Sequence, residues 1–229
     1  MGERVRRIQA TWADGIGWIA YPDETMERAS HAIVGESGTW LIDPLGGAGL
    51  DELLGAEPPV AGVVVCFDHH RRDAVELATA YDVAVHLPAS LAYRGRRMDA
   101  PTASLEAFTA DTGWEPFVIR DWIRWHEVGL SSPDGSTVRI PEAVGTARYF
   151  RAPGEQLGVH PTARLVPPRS ALASITADRI LVGHGEGVMD GGRVAITEAL
   201  ANARRRASGA FARASTCLPQ LAIDQFRYP

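Results

Sequence analysis

The chain has 229 residues, of which 45% are hydrophobic and 22% charged, with a formal net charge of −5. This is an ordinary globular composition, and one domain over residues 1–229 can bury a sizeable core without staples. All 23 basic residues are arginine, which removes Schiff-base and lysine-nucleophile chemistry, and the acidic balance argues against nucleic acid as a partner.

The two cysteines, Cys66 and Cys217, make no disulfide framework. MGERVRRIQATW lacks the apolar stretch of a signal peptide, and no run of about 18 apolar residues suggests a membrane span. A cytoplasmic protein without a membrane partner is the expectation.

In chain order, residues 4–11 and 15–21 predict an opening hairpin around Ala13-Asp14-Gly15. HAIVG (31–35) and TWLIDP (39–44) predict a second hairpin around Glu36-Ser37-Gly38. A turn at 45–49 and a short helix at 49–55 follow. VAGVVVCF (60–67) has the continuous apolar character of a strand buried on both faces. Ala74, Leu77, Ala78 and Tyr81 fall on one helix face, and DVAVHLP (82–88) is again a buried strand, which completes a β-α-β unit. Residues 89–113 are a polar excursion. WEPFVIRDWIRWHEVGL (114–130) is strand-rich and aromatic, and TVRIP (137–141) returns after a turn at 131–136. Residues 143–169 are predicted as loop, with a short helix near Ser170. RILVGHGEGV (179–188) is a last buried strand running into a glycine-rich turn. One closing helix carries Ile196, Leu200, Ala203 and Ala207 on its inner face, with Arg204, Arg205 and Arg206 near its C-terminus.

Polar residues crowd just beyond the C-terminal ends of four strands: Asp43 after WLI, the cluster Asp68-His69-His70-Arg71-Arg72-Asp73 after VVVCF, Glu142 after TVRIP, and His184 after RILVG. Such strand ends are where α/β sheets hold ligands, so a pocket is expected where they converge. His184, flanked by glycines after a buried strand, is the strongest single candidate. His160 in the long loop is a further pocket candidate, whereas His31 and His86 are expected to pack in the core. Asp43 is expected to brace the turn at Gly46-Gly47.

These segments, in this order and spacing from His31 to Leu200, resemble the metallo-β-lactamase superfamily. HAIVGESGTWLIDP is similar to its opening hairpin and VVVCFDHHRRDAVELATAYDVAVHLPAS to its central strand–turn–helix–strand. DGSTVRIPEAVG is similar to the strand delivering its bridging aspartate, and RILVGHGEGV to that of its last histidine. The resemblance implies a mixed α/β fold: a four-layer αββα sandwich of two mixed β-sheets with helices outside. It also implies a site at one edge, usually holding one or two zinc ions that activate water for hydrolysis.

The central motif departs from the family pattern His-x-His-x-Asp-His. In one register His69, Arg71, Asp73 and Ala74 take the four places; shifted by one, Asp68, His70, Arg72 and Asp73 do. The first register, preferred because it keeps Asp73 and the apolar helix face in step, gives a metal-ligand set of His69, Asp73, Glu142 and His184. The family's glycine–histidine turn would fall near Ile123, which cannot ligate. Two readings follow. Either the chain is a hydrolase with at most one zinc or other divalent ion, or it holds none and is a binding or scaffold protein in which Arg71 pairs with Asp73 and Glu142 and replaces the metal's charge. The ligand is then an unidentified small molecule. The segment Arg148-Tyr149-Phe150-Arg151 and the tryptophans Trp114, Trp122 and Trp125 offer a pocket cover or a homo-oligomer contact.

Overall fold

The structure is a computed structural model and describes residues 7–47, 49–55 and 59–228. Residues 4–6 of the expected first strand lie outside the described residues. The first sheet has seven strands in chain order: β1 (Arg7–Trp12), β2 (Gly15–Ile19), β3 (Ala29–Val34), β4 (Thr39–Ile42), β5 (Val60–Val64), β6 (Val85–Leu87) and β7 (Thr102–Ser104). β1 to β4 are antiparallel hairpin partners, and β4 to β7 are parallel. Helices α1 (Leu50–Leu54), α2 (Ala74–Ala80) and α3 (Ala92–Gly95) fill its crossovers, and α4 (Glu106–Thr112) leads from β7 to the second sheet. The excursion at 89–113 therefore holds α3, β7 and α4, which its polarity concealed.

The second sheet contains β8 (Glu115–Trp122), β9 (Trp125–Ser131), β10 (Thr137–Ile140) and, beyond a two-stranded ribbon of β11 (Val144–Gly145) and β12 (Gly158–Val159), β13 (Arg179–Val182). Its order is β13-β10-β9-β8, with β10 and β13 parallel. Then come α5 (Arg169–Leu172), α6 (Gly192–Asn202) and α7 (Ala207–Arg227).

Side-chain alternation along the strands divides the core into three seams. Ile33, Trp40, Ile42, Val64 and Cys66 point from the first sheet toward Leu130 and Leu181 of the second. Leu41, Val63 and Val65 point the other way, against Ala74 and Ala78 of α2. Val138, Ile140, Ile180 and Val182 point from the second sheet to Ile196, Ala199 and Leu200 of α6. Helix, sheet, sheet and helix form the four layers.

The single closing helix of the sequence reading is two helices. The chain turns at 203–206, so the three arginines sit at the break, and Arg204 Nε donates to Leu165 O at 2.8 Å. α7 follows for 21 residues with Pro219 inside it. It docks through Ala210, Ala214, Cys217 and the buried Asp224, whose Oδ2 accepts from Thr25 N at 2.8 Å. Among the described residues no helix is long and apolar enough to cross a membrane.

Candidate metal centre

β4 and β5 run parallel in one sheet, and β10 and β13 run parallel in the other. Their C-terminal ends meet at one edge of the sandwich, bringing Asp43, the 68–73 turn, Glu142 and His184 together. Gly183 permits the close approach: a Cβ there would lie 2.1 Å from Pro141 O and 2.7 Å from His70 Cε1.

Three donor atoms converge. His70 Nε2 lies 3.2 Å from His184 Nε2 and 3.1 Å from Glu142 Oε2, and His184 Nε2 lies 2.9 Å from the same oxygen. All three residues are buried and grouped as a metal site would require. The opposite ring nitrogens define the tautomers. His70 Nδ1 faces Asp43 Oδ2 at 3.0 Å, and His184 Nδ1 faces Met26 O at 2.9 Å. A carboxylate and a carbonyl only accept, so each Nδ1 carries the proton and each Nε2 of a neutral ring is a lone pair. His160 adds a polar neighbour: its Nδ1 accepts from Thr162 N, which leaves Nε2–H directed at Glu142 Oε1, 3.4 Å away.

Burial opposes ionisation of Glu142, yet His184 and His70 beside it hold its carboxyl well below the usual range. Asp43 is likewise buried, but Arg139 and His70 hold it below the usual range. Burial and the neighbouring Arg72 push His70 down, so its neutral form is favoured. His160 is pushed down to about 4, chiefly by burial. Beneath the site, Glu127 Oε1 accepts from Glu142 N and Ala143 N, both at 2.7 Å, and Oε2 accepts from Trp125 Nε1 at 2.8 Å. Burial outweighs these bonds and pushes Glu127 up to about 7.

The turn adopts the shifted register, with His70 and Arg72 at the cluster, and not the one that puts His69 and Arg71 there. His70 N donates to Phe67 O at 2.9 Å, and Arg72 takes a left-handed φ of +45°. Together these turn His70 and Arg72 toward the cluster, while Asp68 bonds Tyr93 OH and His126 N. His69 is exposed and lies edge-on to Phe67. Asp73 Oδ2 accepts from Gly46 N at 2.8 Å, bracing the turn that had been assigned to Asp43. Asp43 instead takes Cys66 N at 2.8 Å, His70 and Arg139. The side chain of Arg71 is exposed and lines a cleft outside the cluster, so the expected Arg71–Asp73–Glu142 ion pair is replaced by a different arrangement. The guanidinium beside the cluster is that of Arg72. It donates to Ala29 O, to Asp43 O at 2.8 Å and to Gly183 O at 3.0 Å, and its NH2 stands 3.5 Å from His70 Nε2.

Among the sequence candidates, the fold brings Asp43, Glu142, His160 and His184 together and leaves His69, Arg71 and Asp73 outside. His70, Arg72, Arg139 and Glu127 complete the surroundings. Phe150, from the segment expected to cover the pocket, is buried and stacks on His184 with ring centroids 5.1 Å apart. Ile123 is 93% exposed at the tip of the β8–β9 hairpin, where the family's glycine–histidine turn was expected.

No protein-family model and no curated protein matches the sequence. Solved structures do match the fold. A metallo-β-lactamase from Pontibacter korlensis superimposes with a TM-score of 0.57 at 14% identity, covering 87% of this chain and 99% of that one. A diflavin flavoprotein fragment from Nostoc sp. gives 0.61 at 13% identity, covering 90% and 98%. A metallo-β-lactamase from Erythrobacter litoralis gives 0.57 at 14%, covering 86% and 95%. The chain has the metallo-β-lactamase fold. At its strand ends that fold carries a three-donor cluster of His70, Glu142 and His184.

Proposed function

We propose that this is a hydrolase-like protein that holds one divalent cation, such as zinc, on His70 Nε2, His184 Nε2 and Glu142 Oε2. One observation carries the reading: two imidazole lone pairs and a carboxylate oxygen crowd within 3.2 Å of one another, while each Nδ1 proton is committed elsewhere. Three acceptors at such distances repel unless a cation or an added proton lies among them. Two histidines and one carboxylate are a donor set that zinc accepts with a position left open. When bound, the cation supplies Lewis acidity for hydrolysis. The chain's own groups do the rest. Asp43 orients the His70 ring, Met26 O fixes the tautomer of His184, and such partners are worth tenfold or more in metal affinity, by about one to two orders of magnitude. His160 holds a proton toward Glu142 Oε1, and its burial keeps the ring neutral near pH 7, able to pass a proton at Nε2.

A specific observation favours a second reading. Arg72 stands where the motif has its aspartate, 3.5 Å from His70 Nε2, and guanidinium cannot coordinate a cation. In this reading the cluster shares a proton, no metal binds, and the pocket is a binding or scaffold site whose fixed positive charge comes from Arg72. Elemental analysis of protein purified without chelator, followed by zinc titration, separates the two. One equivalent of zinc, lost in folded His184→Ala and His70→Ala variants, supports the first reading. A folded wild type that takes up no zinc at micromolar concentration refutes it and supports the second.

A further inference from the structure

A cavity lies on the helix-covered side of the first sheet, at the C-terminal ends of the parallel strands β5 and β6. Its volume is about 110 Å³. Leu87, Leu91 and Met98 give it an apolar floor, and Arg71, Arg94 and Arg97 stand around it. Phe67 is the wall it shares with the metal centre, with its other face edge-on to His70.

The charges do not cancel. Asp68 is the carboxylate lining the cavity, and its oxygens are already engaged by Tyr93 OH at 2.9 Å and His126 N at 3.2 Å. Arg94 Nε forms an ion pair with Asp68 Oδ1 at 3.7 Å, beyond hydrogen-bond distance, so this buried Nε–H makes no hydrogen bond. Among the described residues, the guanidinium groups of Arg71 and Arg97 make no ion pair. Asp68 offsets one of the three arginines that line the cavity, and the other two are left without an anionic partner, on a chain whose net charge is −5. Like charges gather at such a place against their mutual repulsion, and an unpartnered buried donor costs about 1–3 kcal/mol. A bound anion removes both penalties, and guanidinium is suited to a carboxylate because of its planar fork of donors.

We propose that this cavity binds a small organic monocarboxylate. Its carboxylate lies among Arg71, Arg94 and Arg97, and its apolar body lies on Leu87, Leu91 and Met98. The space equals that of about four waters at roughly 30 Å³ each, which fits a body the size of a short acyl chain or one aromatic ring. The apolar floor distinguishes this ligand from inorganic phosphate, which would gain nothing there. The assignment does not rest on the metal reading, because none of its residues belongs to the His70–Glu142–His184 cluster.

Benzoate is the probe, with benzamide and inorganic phosphate as comparisons, titrated into the full chain by calorimetry. The expected result is saturable binding of one benzoate, no binding of benzamide, and phosphate at least tenfold weaker. Arg71→Gln/Arg97→Gln, two exposed side chains whose loss leaves the core intact, should weaken benzoate at least tenfold with an unchanged circular dichroism spectrum. Methyl-labelled methionine should show a benzoate-dependent shift at Met98. No saturable binding of benzoate overturns the proposal. So does equal binding of phosphate or benzamide, or unchanged affinity in the double variant. Loss of benzoate binding in a folded His184→Ala variant overturns it too, since that would place the ligand at the metal centre.

Discussion

Arg139 and Asp43 form an ion pair across the sandwich, NH2 to Oδ2 at 2.5 Å, with both side chains fully buried. Arg139 sits in β10 of the second sheet, and Asp43 ends β4 of the first. Removing one partner of a buried pair strands the other charge, so Arg139→Met should destabilise the fold by about 3–5 kcal/mol. The shift of the denaturant midpoint measures this, with exposed Arg71→Met as the control, expected within about 0.5 kcal/mol. Because Asp43 has a depressed folded-state pKa, its pairing contributes fully above the ordinary carboxylate value and is lost as pH falls below that value toward the depressed one. The cost of Arg139→Met should therefore shrink in acid.

Glu127 has the opposite sign. Its folded-state pKa is raised to about 7, above the ordinary carboxylate value, so its contribution is fully present below about pH 4.3 and is lost as pH rises toward 7. Glu127→Gln cannot ionise. In chelator-treated protein, the stability difference between wild type and this variant should move in the variant's favour from pH 5 to pH 7. The slope should be at most about 1.4 kcal/mol per pH unit. A difference that stays flat over that range would show that the buried carboxyl ionises as it does in water.

Arg72 places a permanent positive charge 3.5 Å from a proposed metal ligand. Arg72→Gln should tighten zinc binding about tenfold or more by removing that repulsion. The same change should lower stability by about 1–3 kcal/mol, because backbone carbonyls at Ala29, Asp43 and Gly183 lose a charged donor. Competition with a zinc-binding dye and denaturant unfolding read the two opposite effects.

His31 is fully buried, and neither ring nitrogen has a partner. Burial, with Arg139 and Arg72 nearby, holds it neutral. Replacing a buried unsatisfied polar group by an apolar one of similar volume is neutral or stabilising. His31→Leu should keep or raise the unfolding free energy, by up to about 1 kcal/mol.

Gly183→Ala should do the reverse. Its Cβ would meet the backbone oxygen of Pro141 at 2.1 Å, and backbone cannot swing aside as a side chain can. A loss of about 1–3 kcal/mol is expected, with zinc uptake reduced because Gly183 carries His184 on its next residue.

The strand ends were legible because buried apolar runs and the polar residue that stops them are local signals. Asp43, Glu142 and His184 were found in this way. The register of the 68–73 turn was not, since it depends on a left-handed Arg72 and on contacts with two other strands. Keeping Asp73 in step with the helix was a sound local criterion, but it pointed at Arg71 rather than Arg72. Arg139 and Glu127 escaped notice because each lies within a strand, where alternation suggests a solvent-facing charge; here Asp43 of the facing sheet pairs with Arg139, and backbone N–H groups just beyond the neighbouring strand β10 bond Glu127. α7 was missed although Ala207, Ala210, Ala214 and Cys217 recur at helical spacing, because these are small residues and Pro219 lies within the helix.

His70 belongs to the first sheet, whereas Glu142 and His184 belong to the second. Neither half of the sandwich can assemble the trio by itself. A cation held there, as proposed, would recognise only the closed pair of sheets and act as a clasp, resisting their separation by about 2.7 kcal/mol at a hundredfold excess over its dissociation constant. Heating the protein with and without that cation would thus report how firmly the two halves are held shut.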